Sequence, residues 1–234
     1  MAILDEAFAA IATATANAEK NLANARELFE SQLERALMSD AVNEGWQQKR
    51  LGQICVVDWG NTELTKKAFV EDGPYLGVSA AGCDGRIGHA EHKKHTPVLS
   101  AIGARCGRMF FPLEDFTAIK NTITLTPHAD LCTGIFLFHL LSSIELPKRG
   151  TAQPFISKGD IQNFEVPLPP LPEQERIVAT LDEASTNSAT LARIGEQKLA
   201  HLADLKQSLL HKAFTGELTA DSKAADRSLS EAGV

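Results

Sequence analysis

Residues 164–177 read FEVPLPPLPEQERI, and the order of residue types in this stretch decides how the chain is organised. FEVPL at 164–168 reads as a last strand. Pro167, Pro169, Pro170 and Pro172 then impose stiff, extended backbone. Pro172 suits the first turn of a helix, where its missing N–H costs nothing. Glu173 and Glu175 suit the positive end of the helix dipole. The stretch is therefore a joint, where a β-rich domain ends and a helix begins. Leu191, Ile194, Leu202, Leu205 and Leu209 continue an apolar seam that Lys198 interrupts, and Gly216 is expected to stop the helix. The small, polar residues 219–234 are expected to form a frayed tail.

The other end of the chain has a matching helix. Leu4, Phe8, Ile11, Thr15, Ala18, Leu22, Ala25 and Phe29 fall at alternating steps of four and three, the 3.5-residue period of a coiled-coil seam. No Gly or Pro occurs between Ala2 and Val42, and Gly45 is the expected end. A helix over 4–39 would run about 50 Å. A seam so narrow and long needs a partner helix. Residues 2–37 and 179–214 align without gaps at an offset of 177 with 14 identities, including the block LDEA at 4–7 and 181–184. The terminal helices thus read as copies of one unit, expected to pair antiparallel.

Between them lies a chain of different character. Short apolar runs at 53–59, 75–79, 98–102, 109–111 and 122–125 read as strands bounded by Gly, Pro, Asp and Asn, and 131–146 as a buried helix. The fold class is α+β: one β-rich domain over 46–170, helices over 1–45 and 171–218, and the tail.

Apolar residues make up 44% and charged residues 23%, which excludes whole-chain disorder and collagen-like structure. No run of about 18 apolar residues is present to cross a membrane. The first residues lack the basic region of a secretory signal, and the four cysteines form no CxxC pair, so reduced thiols in a cytoplasm are expected. The formal charge of −7 is uneven: −5 over 1–45, +2 over 46–150 and −4 over 151–234. Whatever meets a polyanion should therefore sit in the middle, although acidic helices around a neutral domain account for the same totals.

The middle also has Gly-rich basic stretches. Residues 82–97, GCDGRIGHAEHKKHTP, place Arg86, His89, His92, Lys93, Lys94 and His95 between strands, and 101–108, AIGARCGR, add Arg105 and Arg108. Loops of this kind can approach a phosphate backbone and offer side chains to base edges. Further basic pairs stand at Lys66–Lys67 and Lys148–Arg149. Each cation alone is equally an ordinary solvated charge. Cys83, His89, His92, His95 and Cys106 have the chemistry of zinc ligands, but Lys93 and Lys94 oppose a cation there, and no metal is expected. No nucleophile elbow, zincin, P-loop or Rossmann signature occurs, nor the Asn-Pro-Pro-aromatic motif of an adenine methylating enzyme.

FEVPLPPLPEQERI, followed by a long helix ending in LLHKAFTGELT at 209–219, resembles the conserved regions of specificity subunits of type I restriction–modification systems. ILDEAF at 3–8, WQQKRLGQIC at 46–55, VLSAIGARCGRMFF at 98–111 and GTAQPFISKGDIQNFEVPLPP at 150–170 extend the likeness over nearly the whole chain. The family usually has two recognition domains; this chain has one, and resembles a half-length form. The resemblance implies a non-catalytic subunit that reads one DNA half-site for a methyltransferase subunit, which itself binds S-adenosylmethionine, and for a restriction–translocase subunit. A second copy or another half-subunit would complete the site. DNA contact is expected from Lys66, Lys67, Arg86, His89, His92, Lys93, Lys94, Arg105 and Gln153. The competing expectation is a coiled-coil adaptor that binds protein and not DNA.

Overall fold

The computed structural model describes residues 2–38 and 46–215. The expected stops at Gly45 and Gly216 and the tail 219–234 lie outside the described residues. The helices are α1 (Ala2–Met38), α2 (Leu51–Ile54), α3 (Gly134–Ser143), α4 (Lys158–Asn163) and α5 (Leu171–Thr215). The strands are β1 (Gln47–Arg50), β2 (Cys55–Trp59), β3 (Tyr75–Ser79), β4 (Gly82–Ile87), β5 (Val98–Ser100), β6 (Met109–Phe110), β7 (Phe116–Ala118), β8 (Thr122–Pro127) and β9 (Glu165–Leu168). The chain divides into a helical unit, Met1–Ser31 with Glu183–Val234, and a globular unit, Gln32–Asp182.

In the helical unit the two helices run antiparallel. Ala25 faces Ser188, whose hydroxyl donates to the Ala25 carbonyl at 2.7 Å, while Leu22, nearly a turn earlier, faces Gly195, two turns later. On α1 the seam is the expected one: Ile11, Ala18 and Ala25 are buried, and Leu4, Phe8, Thr15, Leu22 and Phe29 are half-buried between them. On α5 it holds for Leu202 and Leu209, which are half-buried, and differs from expectation elsewhere. Leu191, Ile194 and Leu205 are about half exposed, at 48%, 50% and 49%, whereas Ala184 and Gly195 are buried and Ser188 is half-buried. Small side chains let the backbones approach, and the large apolar ones are displaced to the flanks. Gly195 thus holds a buried place at a helix interior, where glycine is unfavourable. A Cβ there would lie 3.6 Å from the Leu22 Cβ, an ordinary contact. Gly195→Ala should therefore stabilise the chain by about 0.5–1 kcal/mol, visible as a rise in melting temperature; a fall would mean that the helices are closer than described.

The globular unit contains three sheets. β1 pairs antiparallel with β9, Gln47 facing Leu168 and Arg50 facing Glu165, so the strand that opens the unit lies beside the one that closes it. β2-β8-β5-β6 form an antiparallel sheet, and β4-β3-β7 a third, in which β3 and β7 are parallel. Phe136, Leu137, Leu140 and Leu141 of α3 bury themselves against Ile123 and Leu125 of β8, Ile54 of α2 and Ile161 of α4. Leu37 of α1 and Ile177 and Leu181 of α5 belong to the same core.

Several boundaries depart from the sequence reading. The run 53–59 splits into a helical turn ending at Ile54 and strand β2. The helix expected over 131–146 begins only after Thr133, whose hydroxyl caps it. Residues 82–87, expected in a basic loop, are strand β4. Its glycines are used by the pairing: Gly77 of β3 faces Gly85 of β4, and the Phe69 ring lies across both, so that any Cβ at either position would overlap it. Strands β1 and β7 and helix α4 carry no strong local signal.

The joint itself is locked by Gln174, which is completely buried. Its Oε1 accepts from the Thr133 N–H at 3.0 Å, and its Nε2 donates to the carbonyls of Leu131 (2.8 Å) and Pro169 (2.9 Å). The start of α5 is thereby tied to the turn that starts α3. Cys55 and Cys132 are also buried, and burial pushes both thiols up to about 12, so they are inert.

Candidate nucleic-acid interface

The expected contact residues fall into separate groups. Lys66 and Lys67 sit in a 3-10 turn, Lys66–Ala68, capped by Thr65. Lys66 forms an ion pair with Asp84 on β4, and Asp84 also accepts from the Ser79 hydroxyl at 2.7 Å. Burial alone would push the Asp84 carboxyl up, but these donors outweigh it and leave it lowered. Arg105, in the turn after β5, reaches the same hairpin and donates to the Ala81 carbonyl. The loop carrying Gln153 docks on that turn, the Gly103 N–H donating to the Pro154 carbonyl at 3.0 Å. Lys66, Arg105 and Gln153 are thus drawn toward the β3–β4 hairpin tip.

Arg86, Lys93 and Lys94 stand toward the other end of that sheet. Lys93 Nζ meets Asp115 Oδ2 at 2.8 Å and the Lys94 N–H meets Asp115 Oδ1 at 3.0 Å. The Lys93 hydrogen bond holds the Asp115 carboxyl below the usual range and raises the Lys93 ammonium. His89 Nε2 lies 3.1 Å from Glu91 Oε1, which also accepts from Asn61 at 2.8 Å. His92 is half-buried against the Phe116 ring, at a centroid distance of 5.1 Å, with Nε2 unpaired; burial holds it below its ordinary pKa. Lys67 and Lys94 have exposed ammonium groups with no ion pair among the described residues.

Arg86 is committed to the fold. Its guanidinium donates to Gly73 O (3.0 Å) and Pro74 O (3.1 Å) and pairs with Glu114 (2.8 Å), fastening the turn before β3. Arg86→Ala should cost about 2 kcal/mol, and Arg86→Lys most of that, since an ammonium cannot reproduce the fork. Urea denaturation of both variants checks it; a loss under 0.5 kcal/mol would show that Arg86 is not an anchor.

Sequence reading located the cations but not the carboxylates opposite them. Asp84, Glu114 and Asp115 lie 18 to 28 residues from their partners, and no local pattern signals such pairs. The zinc-type residues do not converge. His95 stacks on Phe111, Cys106 is buried, and among the described residues no three His, Cys, Asp or Glu side chains are grouped to hold a metal ion.

A family model for the type I restriction modification DNA specificity domain matches residues 43–197, taking in most of the globular unit and more than half of α5. The chain belongs to this family. Relatives within the type I specificity family include the EcoBI specificity subunit of Escherichia coli, 28% identical over 174 residues, which are 69% of this chain and 36% of that protein. The EcoDI specificity subunit of Escherichia coli is 40% identical over 74 residues, 32% of this chain and 17% of its own length. Among solved structures, the HsdS subunit from Thermoanaerobacter tengcongensis aligns over 92% of this chain with a TM-score of 0.64 and 23% identity. A chain from a study of complex assembly and conformational transition of the type I R-M system aligns over 91% with a TM-score of 0.76 and 22% identity. These two likenesses are of fold. The chain spans about a third or less of the curated relatives and 57% of the two solved chains. No helix among the described residues is long and apolar enough to cross a membrane.

Proposed function

We propose that this chain is a non-catalytic DNA-selecting subunit that reads one half of a split site in duplex DNA for a type I methyltransferase subunit, and for the restriction–translocase subunit of the full complex. The observation that carries this reading is the match of a DNA specificity family to the globular unit. Of its exposed cations, Lys66, Lys67 and Arg105 would meet phosphates, whereas Lys93 and Lys94, held beside Asp115, would not; His89, His92 and Gln153 would approach base edges. The methyl donor, S-adenosylmethionine, would belong to the methyltransferase. On the helical unit, a groove of about 330 Å³ lined by Asn21, Asn24, Leu28, Leu191, Ile194 and Lys198 offers that partner an apolar strip with polar edges. The test is to purify the chain with its co-encoded methyltransferase and map the bases that become methylated. Methylation at a defined sequence that vanishes without this chain is expected. An unchanged methylation pattern, with binding insensitive to salt, would favour a protein adaptor instead.

The working assembly should contain two recognition domains, from a second copy or another half-subunit. The repeat supports this. At the offset of 177, Leu33 and Leu37, which pack into the globular core, correspond to Leu210 and Phe214, and Phe214 is 88% exposed. A helical ruler of about 50 Å also exceeds one DNA turn of about 34 Å. For two copies of this chain, the mass of the complex on DNA should show both, and the methylated site should be an interrupted palindrome. One copy on an undivided site would overturn this expectation.

A further inference from the structure

We propose that the paired segments 101–113 and 146–159 form the surface that grips the DNA phosphate backbone, with Arg105, Arg108 and Lys148 as its phosphate contacts; this rests on the DNA-binding reading above. The two segments contain five cations, Arg105, Arg108, Lys148, Arg149 and Lys158, and no Asp or Glu, in a chain whose formal charge is −7. The backbone joins them into one surface. Ile156 N–H donates to Ala101 O at 2.8 Å and Gly103 N–H to Pro154 O at 3.0 Å, while Arg149 and Phe155 exchange two bonds of 2.8 Å that close the second segment on itself. The Lys148 side chain lies over Gly107, whose φ of +88° holds the turn that presents Arg105 and Arg108. Gly103, at φ +104°, has open space where a Cβ would be, so a phosphate can approach the backbone there.

What sets this surface apart is its lack of internal neutralisation. Asp160 pairs with Arg149 and Asp58 with Lys158, but Arg105, Arg108 and Lys148 have no acidic partner among the described residues. On the 82–97 segment the arrangement is reversed: Arg86, His89 and Lys93 each face a carboxylate, and Lys94, whose ammonium makes no ion pair, is held by its N–H on the same Asp115. A phosphate arriving there must displace that carboxylate and is repelled by it. At Arg108 and Lys148 it replaces only water and counterions, the exchange that gives DNA binding its salt dependence. Thr151 and Gln153, exposed on the adjoining loop, supply neutral donors beside the cations.

The test measures anisotropy of a labelled mixed-sequence DNA duplex titrated with the full chain over a salt series. Arg108→Gln with Lys148→Gln should lower the slope of log affinity against log salt by about 2, and affinity near 0.1 M salt roughly ten- to a hundredfold. Lys93→Gln with Lys94→Gln should change the slope by less than about half a contact. Unchanged melting temperatures establish that both pairs fold. In the wild-type chain, DNA should protect Lys148, and not Lys93, from an amine-reactive label, a readout that needs no variant. If the Lys93–Lys94 pair carries the loss, or both pairs lose equally, the assignment is overturned while DNA binding stands. If the wild-type chain shows no salt-dependent binding, both readings fall together.

Discussion

Replacing Gln174 by leucine should destabilise the globular unit by about 4 kcal/mol, the largest loss expected from one polar side chain here. Gln174 has three partners and no exposure. Leucine would strand the Thr133 N–H and withdraw donors from the carbonyls of Leu131 and Pro169. Each buried group left unsatisfied costs about 1–3 kcal/mol. The loss should appear as a lower urea midpoint with an unchanged m-value. Gln174→Glu gives a distinct signature. A carboxylate would face two carbonyl oxygens, so the buried acid would favour its protonated form and its folded pKa would rise above the unfolded value of about 4.3. Stability relative to Gln174→Leu should then be greatest in acid and decline as pH rises through that range. A pH-independent difference would refute this account of the lock.

Proline at Leu202 or Leu22 should cost about 3 kcal/mol or more, because it removes an internal helix hydrogen bond and collides with the preceding turn. Both leucines are half-buried in the helical unit, where Leu22 faces Gly195. A kink at either would part the narrow seam on both sides of it. Far-UV circular dichroism should show reduced helicity, and co-purification with the methyltransferase should fail. Full helicity and normal assembly in both variants would remove the coil as a structural element. Proline at Thr215, at the end of α5, is the control and should do neither.

How much of this was legible in sequence depended on the range of the interaction. The α1 seam was read correctly because a 3.5-residue period held over seven turns leaves few alternatives. On α5 the same logic found Leu202 and Leu209, which are half-buried, but went astray around the closest approach. It favoured large residues such as Leu191 and Ile194, whereas the closest approach uses Gly195, which hydrophobicity does not mark. Strand β4 looked like a loop because GCDGRI is rich in glycine and charge; its extended form comes from pairing with β3 and from the Phe69 ring. PLPPLPEQ was visible as a signature, but Gln174's task emerged only when the fold brought Thr133, 41 residues away, against it. Likewise, the cations were countable, but which of them remained unneutralised was a property of folded geometry.

The contact between Phe69 and the facing glycines bears on how such a domain could be retargeted. The turn bearing Lys66 and Lys67 immediately precedes Phe69, and the hairpin bearing Asp84 and Arg86 contains Gly77 and Gly85. Ring and glycines fit as plug and socket. A donor turn without a residue of similar size at position 69 would leave a hole, and a donor hairpin with side chains at 77 or 85 would strike the ring. Residues 65–87 should therefore be transplanted as one cassette, and chimeras spliced between the turn and the hairpin should be the ones that misfold.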